Sequence, residues 1–185
     1  MRYLETLRAE NGHIKYLNYH QDRMYRTCGK KLILNLQPPT KGVWRVRIIY
    51  TQTIESIEYL PYKQTDIHKL QMIEADNIEY SYKFENREQL QNLFTKRADA
   101  DDVLIIKNSL VTDTTIANIA FFNGKQWITP KSPLLNGTTR RRLIDEKFLY
   151  EADIKATEVK NFKKFALMNT LIGFLEIQDG IIHPC

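Results

Sequence analysis

The chain has 185 residues, 43% of them hydrophobic and 26% charged, which is enough for one sizeable core or two small ones in a soluble protein. Its formal net charge of +5 comes from lysines and arginines interleaved with acids, so it predicts a solvated basic surface and no nucleic-acid partner. No apolar run is long enough to span a bilayer, and the N-terminus lacks a signal-peptide core, so no membrane association is expected and the cytoplasm is the expected compartment. The two cysteines, Cys28 and Cys185, lie far apart and make neither a disulfide framework nor a metal spacing, and the four histidines add no metal motif.

Tyr3 to Arg8 alternates as a strand does, Glu10-Asn11-Gly12 signals a hairpin turn, and His13 to Leu17 is the returning strand. Asn18 is placed to cap a helix that carries His20, Arg23 and Met24 and ends near Cys28. Pro38-Pro39 marks a loop, after which Val43 to Tyr50, Ile54 to Leu60 and Ile67 to Met72 read as strands. Alternation sets Arg45 and Arg47 on one face and Val46 and Ile48 on the other. Residues 1–74 are thus expected to form a small α+β domain, with Glu74 to Asn77 as a polar linker and residues 78–185 as a second domain.

The second domain opens with the β-branched and aromatic segment Ile78 to Phe84, which contains Lys83, and Asn86 is placed to cap a helix running to about Lys96. Val103 to Lys107 and Val111 to Asp113 follow as strands around an Asn108-Ser109 turn. Thr114 and Thr115 lead to Asn118 and the strand Ile119 to Phe122; Asn123-Gly124 turns the chain into Trp127 to Thr129. Gly137-Thr138-Thr139 opens a helix whose first amides and dipole suit an anion. A short helix at Ala156 to Glu158, a strand Phe165 to Met168, a turn at Asn169-Thr170 and strands at Phe174 to Ile177 and Ile181-Ile182 complete the chain. A primary amine, a carboxylate and an anion-binding helix start are the protein-side parts that a pyridoxal phosphate site needs.

The run VTDTTIANIAFFNGKQWITP, followed by PLLNGTTR, resembles the signature of the class IV, or fold-type IV, pyridoxal-phosphate enzymes. The resemblance extends from Leu4-Glu5-Thr6 to Leu167-Met168-Asn169 and is nearest to aminodeoxychorismate lyase-like domains, with branched-chain and D-amino-acid aminotransferases as relatives. It implies an α+β, two-domain fold with a small N-terminal α/β sandwich and a larger mixed-sheet, pseudo-barrel C-terminal domain. It implies that Lys83 is the catalytic lysine carrying the cofactor, and that Arg23, in the pattern His20-Gln21-Asp22-Arg23, grips its phosphate. Asp113 stands where the family usually has a glutamate facing the pyridine nitrogen. Thr114 and Thr115 can offer hydroxyls to the phosphate or the ring, and Gly137, Thr138 and Thr139 correspond to the family's phosphate loop. Arg47, Tyr50 and Thr170 are candidates to meet a small amino-group substrate that bears a carboxylate. No metal is implied.

The expected activity is a lyase releasing 4-aminobenzoate and pyruvate for folate synthesis. Rival readings are an aminotransferase using the same residues, for branched-chain or D-amino acids, and a non-catalytic cofactor-binding or partner protein. A homodimer is also implied. Family members usually begin with a further strand-rich segment before the Glu5-Thr6 position, so a shortened start with an altered substrate pocket is expected.

Overall fold

Alternation along Tyr3–Glu10 (β1) places Leu7 and Ala9 on one face and leaves Leu4, Thr6 and Arg8 on the other. In the computed structural model, which describes residues 1–185, β1 lies between His13–Ile14 (β2) and Val43–Tyr50 (β3), and β3 pairs with Ile54–Pro61 (β4). All three pairings are antiparallel, and the β1–β3 register sets Tyr3 opposite Tyr50, Glu5 opposite Ile48 and Leu7 opposite Val46. The helix Leu17–Cys28 (α1) covers that inward face with His20, Arg23 and Met24, whose spacing of three and four puts them on one side of a helix. Its core also contains Leu32, Val46 and Ile48; each fully buried aliphatic side chain there is worth roughly 1.5–3 kcal/mol. Asn18 is not the cap. Tyr16 takes the left-handed conformation immediately before the helix, and Gly29, at φ 69°, closes the other end with its N–H on the Tyr25 carbonyl.

The second sheet has nine strands. Its order is Leu149–Ala152 (β10), Trp127–Pro130 (β9), Asn118–Phe122 (β8), Leu110–Thr114 (β7), Asp102–Lys107 (β6), Lys69–Glu74 (β5) and Ile181–His183 (β13). Phe165–Asn169 (β11) pairs with β8 and with Gly173–Ile177 (β12). Parallel pairing holds β5 to β6, β13 to β5 and β10 to β9; the remaining pairs are antiparallel. Asp102 to Ile106 is buried at every residue, and Val103 to Ile106 is a continuous apolar run without alternation. Two short helices, Glu88–Phe94 (α2) and Thr138–Asp145 (α3), and a 3-10 helix at Ala156–Asn161 complete an α+β fold.

The chain divides into Met1–Thr65 with Tyr82–Asn86, and Asp66–Ser81 with Arg87–Cys185. This departs from the expected division at 74 to 78 in two ways. β5 joins the second sheet because β6 offers it a parallel edge, and the Lys83 segment joins the first unit because Phe84 bridges Tyr3. Ile78 to Phe84 accordingly forms no strand beyond that single bridge, and Arg87, not Asn86, stands at the start of α2. The Asn108-Ser109 turn has φ values of 51° and 64°, the paired left-handed geometry that a two-residue hairpin prefers and a serine resists. No helix is long and apolar enough to cross a membrane.

Candidate active site

Lys83 sits at the centre of a three-residue turn. The Phe84 N–H donates to the Tyr82 carbonyl at 2.9 Å, while the Lys83 carbonyl accepts from Leu4 at 2.8 Å. Tyr82 and Phe84, on either side, pack their rings against Tyr3 at centroid distances of 6.1 and 5.9 Å. The lysine backbone is therefore anchored to β1 by its own carbonyl and by a three-ring cluster.

Arg23, carried inward by α1, meets a carboxylate on the facing strand. Its Nε donates to Glu5 Oε2 at 3.2 Å and its Nη2 to Glu5 Oε1, and His20 Nδ1 lies 2.6 Å from the same Oε1. Glu5 is fully buried. Burial alone would raise its pKa, but the Arg23 guanidinium and the His20 hydrogen bond outweigh it and hold the carboxyl down at about 2. Tyr50 belongs to the same core. It is 1% exposed, its ring lies 5.6 Å from that of Tyr3, and burial together with the Glu5 charge pushes its hydroxyl up to about 12. Tyr50 is a core residue with no surface to offer a substrate, contrary to expectation. Arg47 lies on the opposite sheet face from Glu5 and is occupied by Glu58 at 3.0 Å and Glu85 at 3.5 Å, so its charge is already balanced.

In the second unit Asp113 closes a compact cluster. Its Oδ1 accepts from Asn118 Nδ2 at 2.7 Å and its Oδ2 from the Leu135 amide at 2.9 Å, while Asn118 Nδ2 also reaches the Leu135 carbonyl at 2.9 Å. Burial raises the Asp113 pKa to about 6 against the pull of these hydrogen bonds and the charge of Arg140. Gly137 packs against the other side of Asn118. A Cβ built there would lie 1.9 Å from Asn118 Oδ1, so only glycine fits. The next two residues, Thr138 and Thr139, are buried and begin α3, where the first amides have no partner within the helix. One asparagine thus links a buried carboxylate to the segment that begins α3. Arg140, also buried, is held by the Pro130 carbonyl at 2.7 Å and by Glu151 at 2.6 Å.

The two threonines after Asp113 have other work. Thr114 Oγ1 accepts from the Ala117 amide at 3.1 Å and so closes the turn before β8. Thr115 Oγ1 donates to Asp102 Oδ1 at 2.6 Å, and its carbonyl accepts from Arg87 Nη2 at 2.6 Å. Their hydroxyls are engaged within the protein and are not spare donors for a phosphate. Thr170 lies in the turn after β11, where Asn169 Oδ1 accepts from the Leu171 and Ile172 amides and Asn169 Nδ2 reaches the Ile116 carbonyl at 3.2 Å.

The residues missed by reading the sequence alone are Asp102 and the Leu135 amide, together with the clamping role of Glu5. Glu5 and Asp102 had a signal: each is an acid at a core position of a strand. Leu135 had none, because a backbone amide carries no side-chain signature.

Taken by itself, each unit carries groups that fit parts of pyridoxal phosphate. Asp113 accepts from Asn118 and the Leu135 amide, and a carboxylate's two oxygens have lone pairs enough to accept from a protonated ring nitrogen as well. The start of α3 supplies backbone N–H groups and a positive dipole end for a phosphate. Arg23 spends only its Nε–Nη2 edge on Glu5.

Comparison with known proteins agrees. Residues 47–179 match the family "Amino-transferase class IV". An "Uncharacterized protein" of Haemophilus influenzae is 37% identical over 182 residues, covering 91% of this chain and 97% of that protein. A "Putative aminodeoxychorismate lyase" of Schizosaccharomyces pombe is 35% identical over 89 residues, 45% of this chain and 37% of that protein. The crystal structure of a "putative 4-amino-4-deoxychorismate lyase" from Haemophilus somnus 129pt superposes with a TM-score of 0.84 at 30% identity, covering 93% of this chain and 97% of that one. The chain belongs to the class IV aminotransferase family and is a pyridoxal-phosphate-dependent enzyme of the lyase or aminotransferase type.

Proposed function

We propose that the enzyme is a 4-amino-4-deoxychorismate lyase, releasing 4-aminobenzoate and pyruvate for folate synthesis. The observation that carries the cofactor part of this reading is the Asp113–Asn118–Gly137 cluster, which ties an acid for the ring nitrogen to a seat for the phosphate. The choice of a lyase leans on the likeness to the Haemophilus somnus protein across nearly the whole of both chains.

Pyridoxal phosphate, when bound, supplies an electron-poor ring that stabilises negative charge on the substrate carbon next to the amine. Lys83 would hold the cofactor through its side-chain amine, and the same amine would take the proton from that carbon. In the second unit Asp113 would keep a proton on the ring nitrogen and the amides of Thr138 and Thr139 would hold the phosphate; in the first unit Arg23 would offer its guanidinium to a phosphate. The turn bearing Thr170 meets the substrate carboxylate. Thr114, Thr115 and Tyr50 support the scaffold, and Arg47 is given no substrate role. A homodimer in the cytoplasm completes the proposal; it rests on the family resemblance, and light scattering tests the dimer.

The test has two stages. Borohydride reduction of the yellow holoenzyme should fix the cofactor on the peptide containing Lys83, and Lys83→Ala should lose at least about 10²–10⁴-fold in turnover. Protein that takes up no pyridoxal phosphate would support the non-catalytic reading. Formation of 4-aminobenzoate from 4-amino-4-deoxychorismate without any added keto acid supports the lyase, whereas turnover that needs a second keto acid supports amino transfer.

A further inference from the structure

On the inward face of β1, Glu5 lies in a row with Tyr3, Leu7 and Ala9, and it is the only acid there. It has no access to solvent, yet it accepts from Arg23 at both carboxylate oxygens and has His20 at 2.6 Å. A buried ion pair is weak as a stabilising device, because apolar residues of similar volume usually serve as well. Its geometry is more informative. The carboxylate takes the Nε–Nη2 edge of the guanidinium side-on, so the plane of the group is fixed and the Nη1 N–H groups are left for another anion. His20, one helical turn before Arg23, approaches Glu5 Oε1 and limits the carboxylate's own rotation.

We propose that Glu5, steadied by His20, is a positioning residue that aims the unspent edge of Arg23 at the phosphate of the cofactor. This rests on the reading of Arg23 as a phosphate ligand. The consequence is selectivity for the phosphate ester over the free alcohol, since only a pre-oriented fork gains its full hydrogen bonds without losing side-chain freedom at the moment of binding.

Titration of the apo-protein with pyridoxal 5′-phosphate and, separately, with pyridoxal tests this by calorimetry. Contacts to the ring and the aldehyde are common to both probes and cancel in the selectivity ratio, the Kd of pyridoxal divided by that of pyridoxal 5′-phosphate. Glu5→Gln keeps the shape of the side chain but weakens the clamp, and it should lower that ratio by about tenfold or more, with pyridoxal affinity itself unchanged. His20→Asn should lower it by less, and it serves as the readout if Glu5→Gln does not fold. Circular dichroism and thermal midpoints measured alongside report any purely structural effect. A ratio within about twofold of wild type in a folded variant overturns the inference. Arg23→Gln separates the two layers. If its ratio also matches wild type, Arg23 does not hold the phosphate and the underlying reading fails. If the ratio collapses in Arg23→Gln but survives in Glu5→Gln, only the positioning role of Glu5 fails.

Discussion

Glu5 and Asp113 are both buried carboxylates, yet their acidities move in opposite directions. Glu5 falls from 4.5 to about 2, whereas Asp113 rises from 3.8 to about 6. Desolvation acts upward on both. The difference lies in the partners: a guanidinium in direct contact with one, and an amide side chain and a backbone N–H in contact with the other. Neutral donors soften the cost of burying a charge, while a touching cation reverses it. A carboxyl left short of a cation has capacity for one that arrives later, which suits Asp113 to a protonated ring nitrogen.

Removing the cation should break the comparison most severely. Arg23→Met leaves Glu5 buried without its main partner and should cost about 3–5 kcal/mol at neutral pH. Because the variant's Glu5 then protonates more readily, the deficit should shrink as pH falls through the ordinary carboxylate range. Urea denaturation at several pH values measures both effects, and a deficit independent of pH would contradict the account.

Asp113→Asn probes the other carboxyl. A raised folded pKa means that the contribution of Asp113 is fully present below its unfolded value of 3.8 and is lost as pH rises through about 6. The stability of wild-type apo-protein relative to the asparagine variant should therefore decline across that window, by roughly 3 kcal/mol at most. Glu5 has the opposite sign: its contribution is present above 4.5 and is lost as pH falls through about 2. A flat difference between wild type and Asp113→Asn would remove the contrast between the two sites.

Gly137→Ala sharpens the comparison at smaller cost. The added methyl collides with Asn118 Oδ1, so Asn118 must turn away and release one oxygen of Asp113. About 1–3 kcal/mol of destabilisation is expected, with weaker cofactor uptake by absorbance. The smallest change is Ser109→Gly in the turn that leads into β7. It relieves a residue held at φ 64° and should stabilise by about 0.4–1 kcal/mol, leaving cofactor affinity unchanged. Loss of cofactor in that variant would mean the turn bears on the Asp113 cluster after all.

Alternation in β1 and β3 made the first sheet legible, and the spacing of His20, Arg23 and Met24 made legible the helix face that covers it, because both periods follow from backbone geometry alone. Lys83, Asp113 and Gly137 could be singled out because an amine, an acid and a glycine before a helix carry their chemistry in their own atoms. Partnership is different: it depends on residues distant in the chain. Only the arrival of α1 over β1 made Glu5 a clamp, and only the approach of Leu135 and Gly137 to Asn118 built the surroundings of Asp113. Tertiary packing likewise engaged the hydroxyls of Thr114 and Thr115, buried Tyr50 beside Tyr3, and gave β5 to the second sheet. Residue type fixes what a group can donate, accept or titrate, while desolvation and hydrogen bonding, which decide whether it does so, are set by neighbours that sequence order does not reveal.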